Sequence, residues 1–146
     1  MKIAFEANFG KVWIDNLTPY VFTLITTVPT PSQAAVFFDT QLELLKSMNK
    51  QFKESYLVSD FSKTTENARK ELCNYYMEYI PRFVKAKVSY IAFVCPHNTV
   101  ELLTPEKKEK LSQAPLGMYP TFVEALASVN LKRSLELSQR YERSIL

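Results

Sequence analysis

Glycine is nearly missing: Gly10 and Gly117 are the only two in 146 residues. A Gly-rich phosphate loop therefore has no place in this chain, and nucleotide binding of the usual kinds is not expected. Ligand-type side chains are equally scarce, with Cys73, Cys95 and a single histidine, His97. They lack the paired spacing of zinc sites, so no metal and no cofactor is expected. No window approaches the roughly 20 consecutive apolar residues of a membrane span. Met1-Lys-Ile-Ala-Phe-Glu6 carries an early acid and no apolar core, unlike a signal peptide. Two thiols in predicted helix and strand read as buried and reduced, which implies a cytoplasmic location. Charge of one sign is not in excess either: 18 basic and 15 acidic residues leave +3. The densest basic runs, Lys107-Lys-Glu-Lys110 and Lys132-Arg133, read as solvated helix faces, so no nucleic-acid partner is expected.

Apolar and aromatic residues are plentiful, at 47% and 13%. A chain of this size buries about 68–70% of its unfolded surface, enough for one domain with its own core. Two short runs, Tyr56-Leu-Val-Ser-Asp-Phe61 and Val88-Ser-Tyr-Ile-Ala-Phe-Val94, are β-branched and aromatic and too short for ordinary helices. Between them, Glu66 to Val84 repeats its apolar residues at helical spacing. Strand, helix, strand is the signature of a parallel pair joined by a crossover.

Upstream, alternation at Ile3, Phe5 and Ala7, at Val12 and Ile14, and through Tyr20 to Thr27 predicts three strands in an antiparallel meander. Pro29-Thr-Pro31-Ser32 opens a helix, with Ser32 as N-cap or Pro31 in the first turn. Its core-facing stripe is Ala34, Phe38, Gln41/Leu42, Leu45, Met48 and Phe52. Thr64 or Thr65 caps the second helix, whose inner face is Ala68, Leu72, Tyr75/Tyr76, Tyr79 and Phe83. Pro81 predicts a kink or an early stop near Ile80. Thr104-Pro105-Glu106 starts a short helix, Leu116 to Tyr119 reads as an edge strand, and Thr121 caps a final helix. The fold class is thus α/β: a mixed sheet of five or six strands, a meander followed by βα units. Residues 1–130 form the domain, and 131–146 are a helical extension of it.

In order and spacing, Tyr56-Leu-Val-Ser-Asp-Phe-Ser62, Tyr79-Ile-Pro-Arg-Phe-Val-Lys-Ala86, Val88-Ser-Tyr-Ile-Ala-Phe-Val94 and Phe122-Val-Glu-Ala-Leu126 resemble the STAS-like family of small bacterial anti-anti-sigma factors. The resemblance spans about Phe5 to Val129. It implies a STAS-like fold and a protein-binding, regulatory role. The family's Asp-Ser-x-Gly phosphorylation motif is missing: after Asp60 the chain reads Phe61-Ser-Lys-Thr-Thr-Glu-Asn67. Phosphate at Ser62, Thr64 or Thr65 would still be electrostatically welcome near a helix N-terminus.

Candidate chemistry is sparse. Cys95-Pro-His97 follows a central strand and invites a nucleophile–base pair, yet no third residue to orient the base is identifiable. The simpler reading is a buried thiol and a surface histidine. Asp60 ends a strand, as a ligand- or partner-facing carboxylate or as the cap of the next turn. Tyr75 and Tyr79, with Tyr76 and Phe83, line a pocket or sit half-buried in the core. In the last segment Leu137, Tyr141 and Ile145 recur at four-residue spacing, with Leu131 and Leu135 on an adjacent stripe. Such a stripe wants a partner, either its own domain or a second subunit. The expected function is a non-catalytic interaction or regulatory module with an unidentified protein partner, the homodimer being one form such a partnership can take. The alternatives are a small-molecule or lipid carrier with an apolar pocket beside the aromatic helix and, third, a thiol enzyme at Cys95.

Overall fold

The alternating N-terminal residues form β1 (Lys2–Ala7), β2 (Gly10–Ile14) and β3 (Tyr20–Ile25). The computed structural model describes residues 1–145; Leu146, the end of the 131–146 extension, lies outside the described residues. After the meander come α1 (Pro31–Phe52), β4 (Tyr56–Asp60), α2 (Glu66–Lys85) and β5 (Tyr90–Val94). A 3-10 turn (His97–Leu102), α3 (Pro105–Ser112), β6 (Leu116–Tyr119) and α4 (Phe122–Ile145) complete the chain. The six strands form one sheet in sequential order. β1–β2–β3 pair antiparallel, and β3–β4–β5–β6 pair parallel. The α/β class, the meander and the βα units are as the sequence implies.

A strand order that never reverses places successive crossovers on one face. α1, α2 and α3 accordingly pack together over Val12, Val21, Leu57, Ile91 and Phe93. Aromatic rings fill this layer: Phe38 meets Phe37, Tyr75, Tyr76 and Tyr79, and Phe5 and Phe9 meet Phe37. The opposite face holds a smaller core of Tyr20, Tyr56, Val58, Tyr90, Ala92 and Val94, covered by Ala125 and Val129 of α4. Val88 to Val94 therefore lacks a polar side for the expected reason, since both faces of β5 are covered.

Several local expectations need correction. Thr30, not Ser32, is the N-cap of α1: its hydroxyl accepts from Gln33 N–H while the Gln33 side chain accepts from Thr30 N–H. This reciprocal box seats Pro31 at the first helical position, where its missing donor costs nothing. Pro81 neither stops nor shortens α2, which runs on to Lys85. Pro81 is exposed, so the absent backbone bond lies on the solvent side, where water can replace it. Ala68 is only half-buried and Arg69 is the residue that turns inward. The last helix is also unbroken from Phe122 through residue 130 to Ile145.

Few glycines leave close contacts and helix ends to other residues. Gly10 is one place where only glycine serves: a Cβ there would strike the Leu24 carbonyl of β3. Lys53 closes α1 in the left-handed conformation, φ 64°, a position glycine usually takes.

Candidate functional site

Two regions gather the residues singled out by sequence: the carboxyl ends of β4 and β5, and the face covered by α4. At the first, Asp60 Oδ1 accepts from Ser62 N–H at 2.9 Å and from Ser62 Oγ at 2.7 Å. This is an Asx turn, in which a short carboxylate replaces a backbone acceptor. Thr64 is buried, its hydroxyl donating to Phe61 O at 2.6 Å, while Thr65 caps α2 by accepting from Ala68 N–H. The loop is held by its own side chains.

Arg69 locks this loop from below, donating from its guanidinium to Thr64 O at 2.5 Å. It is only 8% exposed. Among the described residues no carboxylate lies within ion-pair distance of it. Arg69 is hidden in the sequence because Ala68 fits the apolar stripe. The available signal was that positions 69, 72/73, 76, 79/80 and 83 share the same spacing.

Cys95 is buried beneath this loop against Thr99. Burial pushes its thiol up, although Thr99 and Arg69 pull the other way. Cys73 stands near it and is pushed up to about 11, again chiefly by burial. Reactive thiols need the opposite shift. His97 is exposed and begins the 3-10 turn, so it does not share the inward direction of Cys95. The sequential strand order matters here as well. Crevices at the carboxyl edge open where the order of strands reverses, and this sheet has no reversal.

Tyr75 stacks on Phe38, and Tyr79 donates to Asp39 Oδ1 at 2.8 Å, so both serve the α1–α2 contact. Tyr76 is wholly enclosed, its hydroxyl bonded to Ser59, which in turn bonds Thr23 at 2.6 Å. Burial pushes Tyr76 up to about 12. Beside it, Phe61, Cys73, Tyr76, Phe93, Leu103 and Leu111 enclose an apolar cavity of about 20 Å³. Such a space holds about one water, whereas ligand pockets run to about 300 Å³ or more.

The α4 face is built differently. Beneath the helix lies a layer of tyrosines. Tyr20 donates to Asn130 at 2.6 Å, and the Tyr90 and Tyr119 hydroxyls meet at 2.6 Å, with Tyr119 also bonded to Ser128. Gly117 makes room for the Tyr90–Tyr119 pair, because a Cβ there would collide with both hydroxyls. Further along, Glu54 is 2% exposed and accepts from Arg133 Nε at 2.9 Å and from an Arg140 guanidinium nitrogen at 3.0 Å. Arg140 also donates to the carbonyls of Phe52 and Lys53. This buried ion triad fastens the second half of α4 to its own domain. Sequence could not foresee it, since Glu54 is 79 and 86 positions from its partners.

With that inner face engaged, the apolar stripe points outward. Leu131, Leu135, Leu137, Tyr141 and Ile145 are all exposed, from 45% at Leu137 to 67% at Tyr141. Val123 is exposed on the same side. Leu131 stands two positions beyond the inward Val129, about 200° round the helix.

No family model, curated protein or solved structure matches this chain. No described helix is long and apolar enough to cross a membrane.

Proposed function

We propose that this protein is a non-catalytic interaction module of the STAS-like kind, acting through the outer face of α4. The observation that carries this reading is the double-sided helix. One side is committed to the domain through Ala125, Val129, Arg133 and Arg140, and the other presents Leu131, Tyr141 and Ile145 to solvent. A contiguous exposed apolar strip on a folded helix marks a contact surface. The self-closed loop after β4 supports a scaffold role for Asp60, Ser62 and Thr64. Burial of Cys95 with an upward-shifted thiol weighs against a thiol enzyme. The apolar cavity beside Tyr76 is too small for a carried ligand, and the wider hollow of about 320 Å³ between α2 and α3 lies open to solvent with Lys110 and Gln113 among its lining residues; both weigh against a carrier.

Native mass spectrometry of the purified chain tests the reading. The expected result is an assembly of bare polypeptides that Leu131→Glu with Leu135→Glu disperses, both sites being exposed and free of the core. A discrete small-molecule mass on every chain would overturn the reading in favour of a carrier. A monomer that the paired substitution leaves unchanged would also overturn it.

A further inference from the structure

α2 and α3 touch at one end and part at the other. Lys107 of α3 donates to Asn74 Oδ1 of α2 at 2.6 Å, and this bridge closes the near end of the space between them. Beyond it the helices frame an open hollow of about 320 Å³. One wall is Met77, Ile80, Pro81 and Val84, a single stripe of α2 at helical spacing; the other includes Leu111 and Ala114. Pro81 is exposed and Val84 is 43% exposed, so the wall stays apolar where it meets water. Met77, Ile80 and Leu111 also line the enclosed apolar cavity of about 20 Å³ beside Tyr76. The hollow therefore backs onto that cavity, with these three side chains as the partition.

We propose that this cleft docks an acidic peptide segment of a partner protein, which inserts one bulky apolar side chain between α2 and α3. The site is separate from the α4 face and adds a second contact surface. Depth is the first argument. An apolar anchor contributes most where it is fully desolvated at the centre of a contact. Met77, in the partition, is unbranched and half-buried, so it can repack towards the cavity behind it as an anchor enters. α3 can give way as well, since Leu111 is its one buried residue.

Hydrogen bonding is the second argument. Pro81 has no N–H to give to the Met77 carbonyl, which leaves a backbone acceptor on the α2 wall. Gln113, exposed on the opposite wall, carries both a donor and an acceptor. A peptide backbone answers both walls, whereas a hydrocarbon chain answers neither.

Charge is the third, and it selects the partner. Lys110 lines the mouth, Lys107 stands at the bridged end, and Lys85 follows Pro81 by one turn on the same side of α2. Among the described residues Lys85 and Lys107 have no carboxylate within ion-pair distance. Lys110 reaches only Glu106, at 3.7 Å in an exposed pair, and such pairs hold their partners weakly. Glu78 is engaged by Arg82, and Glu109 lies about 200° round α3 from Leu111, away from the cleft. Three lysines against Glu106 leave the mouth basic, so Asp or Glu beside the anchor completes the contact and a basic segment is repelled.

The test is selection from a phage-displayed library of random dodecapeptides, followed by titration of the enriched peptides into the full chain. The expected peptides join Asp or Glu to a Phe, Trp or Leu anchor. With methyl-labelled methionine, titration should shift the Met77 resonance and leave that of Met48, in the core on α1, in place. Val84→Glu and Lys85→Glu/Lys110→Glu should each weaken binding about tenfold; all three positions are exposed, so the fold tolerates the changes. A library that yields no enrichment overturns the proposal, as do enriched peptides without acids or a Met77 resonance that stays in place. Binding lost in Leu131→Glu/Leu135→Glu but kept in Val84→Glu would move peptide docking to α4, so that the cleft falls and the earlier reading stands. Binding lost only in the cleft variants supports the cleft, even where native mass spectrometry has overturned the α4 reading.

Discussion

Removing both arginines that grip Glu54 should cost far more than removing Glu54's charge. Glu54 is 2% exposed, whereas Arg133 and Arg140 keep 26% and 29% of their side-chain surface in water. In Arg133→Ala/Arg140→Ala the carboxylate stays buried with no counter-charge, a situation that costs about 3–5 kcal/mol. In Glu54→Gln the guanidinium groups turn outward to solvent, and the amide oxygen still accepts one bond. That loss should be about 1–2 kcal/mol, below the roughly 1.5–3 kcal/mol of each charge-assisted bond removed outright. For a domain near this size each kcal/mol moves Tm about 2–4 °C, so the double variant should fall about 10–15 °C and Glu54→Gln about 3–6 °C. The damage should also be local. The inward apolar residues of α4 end at Val129, so the turns beyond it depend on the triad. Hydrogen exchange should therefore accelerate over residues 131–145 before it does in the sheet. Equal Tm losses in the two variants, or unchanged exchange in the last turns of α4, would refute the argument. The same geometry explains why deleting everything after Asn130 is a poor probe of assembly: it strands Glu54 as surely as the double substitution does.

Two further outcomes follow from buried groups. Gly117→Ala should separate the Tyr90 and Tyr119 hydroxyls and loosen Ser128, at a cost of about 1–3 kcal/mol readable in urea unfolding; a neutral result would mean that β6 yields easily. Stability should decline on the alkaline side. Cys73 is raised from 9.0 to about 11, and Tyr56, Tyr76 and Tyr90 are each raised from 10.0 to about 12, burial being the largest cause throughout. Groups whose pKa rises on folding contribute fully below their unfolded value and lose that contribution as pH climbs through the folded one. Thermal melts should thus be flat in this respect up to about pH 9 and fall between pH 9 and 12, with Cys73→Ser removing part of the earliest decline, which buried Cys95 shares. A Tm that holds level through this range would show these side chains to be wet in solution.

Legibility tracked distance along the chain. The parallel pair, the meander, the cap at Thr104 and the edge strand at Leu116 were readable because pattern and capping act over a few residues. The carboxyl-edge site was half legible: Asp60 closes a turn to Ser62, two positions away, as an Asx residue does. Arg69 was hidden because an inward arginine breaks the apolar pattern that marks a helix face, and the helix tolerates it only where a carbonyl lies within reach. The last helix was legible as an amphipathic stripe, but its orientation was not.

The sequence by itself determined which segments become strands and helices, because periodicity, β-branching and capping are local. It also determined that Leu131, Tyr141 and Ile145 lie on one side of a helix, because helical geometry is fixed by the backbone. Only the tertiary structure decided which side of α4 faces the domain. That choice belongs to Glu54, held by arginines 79 and 86 residues away, and to tyrosine hydroxyls that need Asn130 and Ser128. A buried carboxylate and a layer of hydroxyls select the helix face that can satisfy them, and the apolar stripe is left outward by that competition.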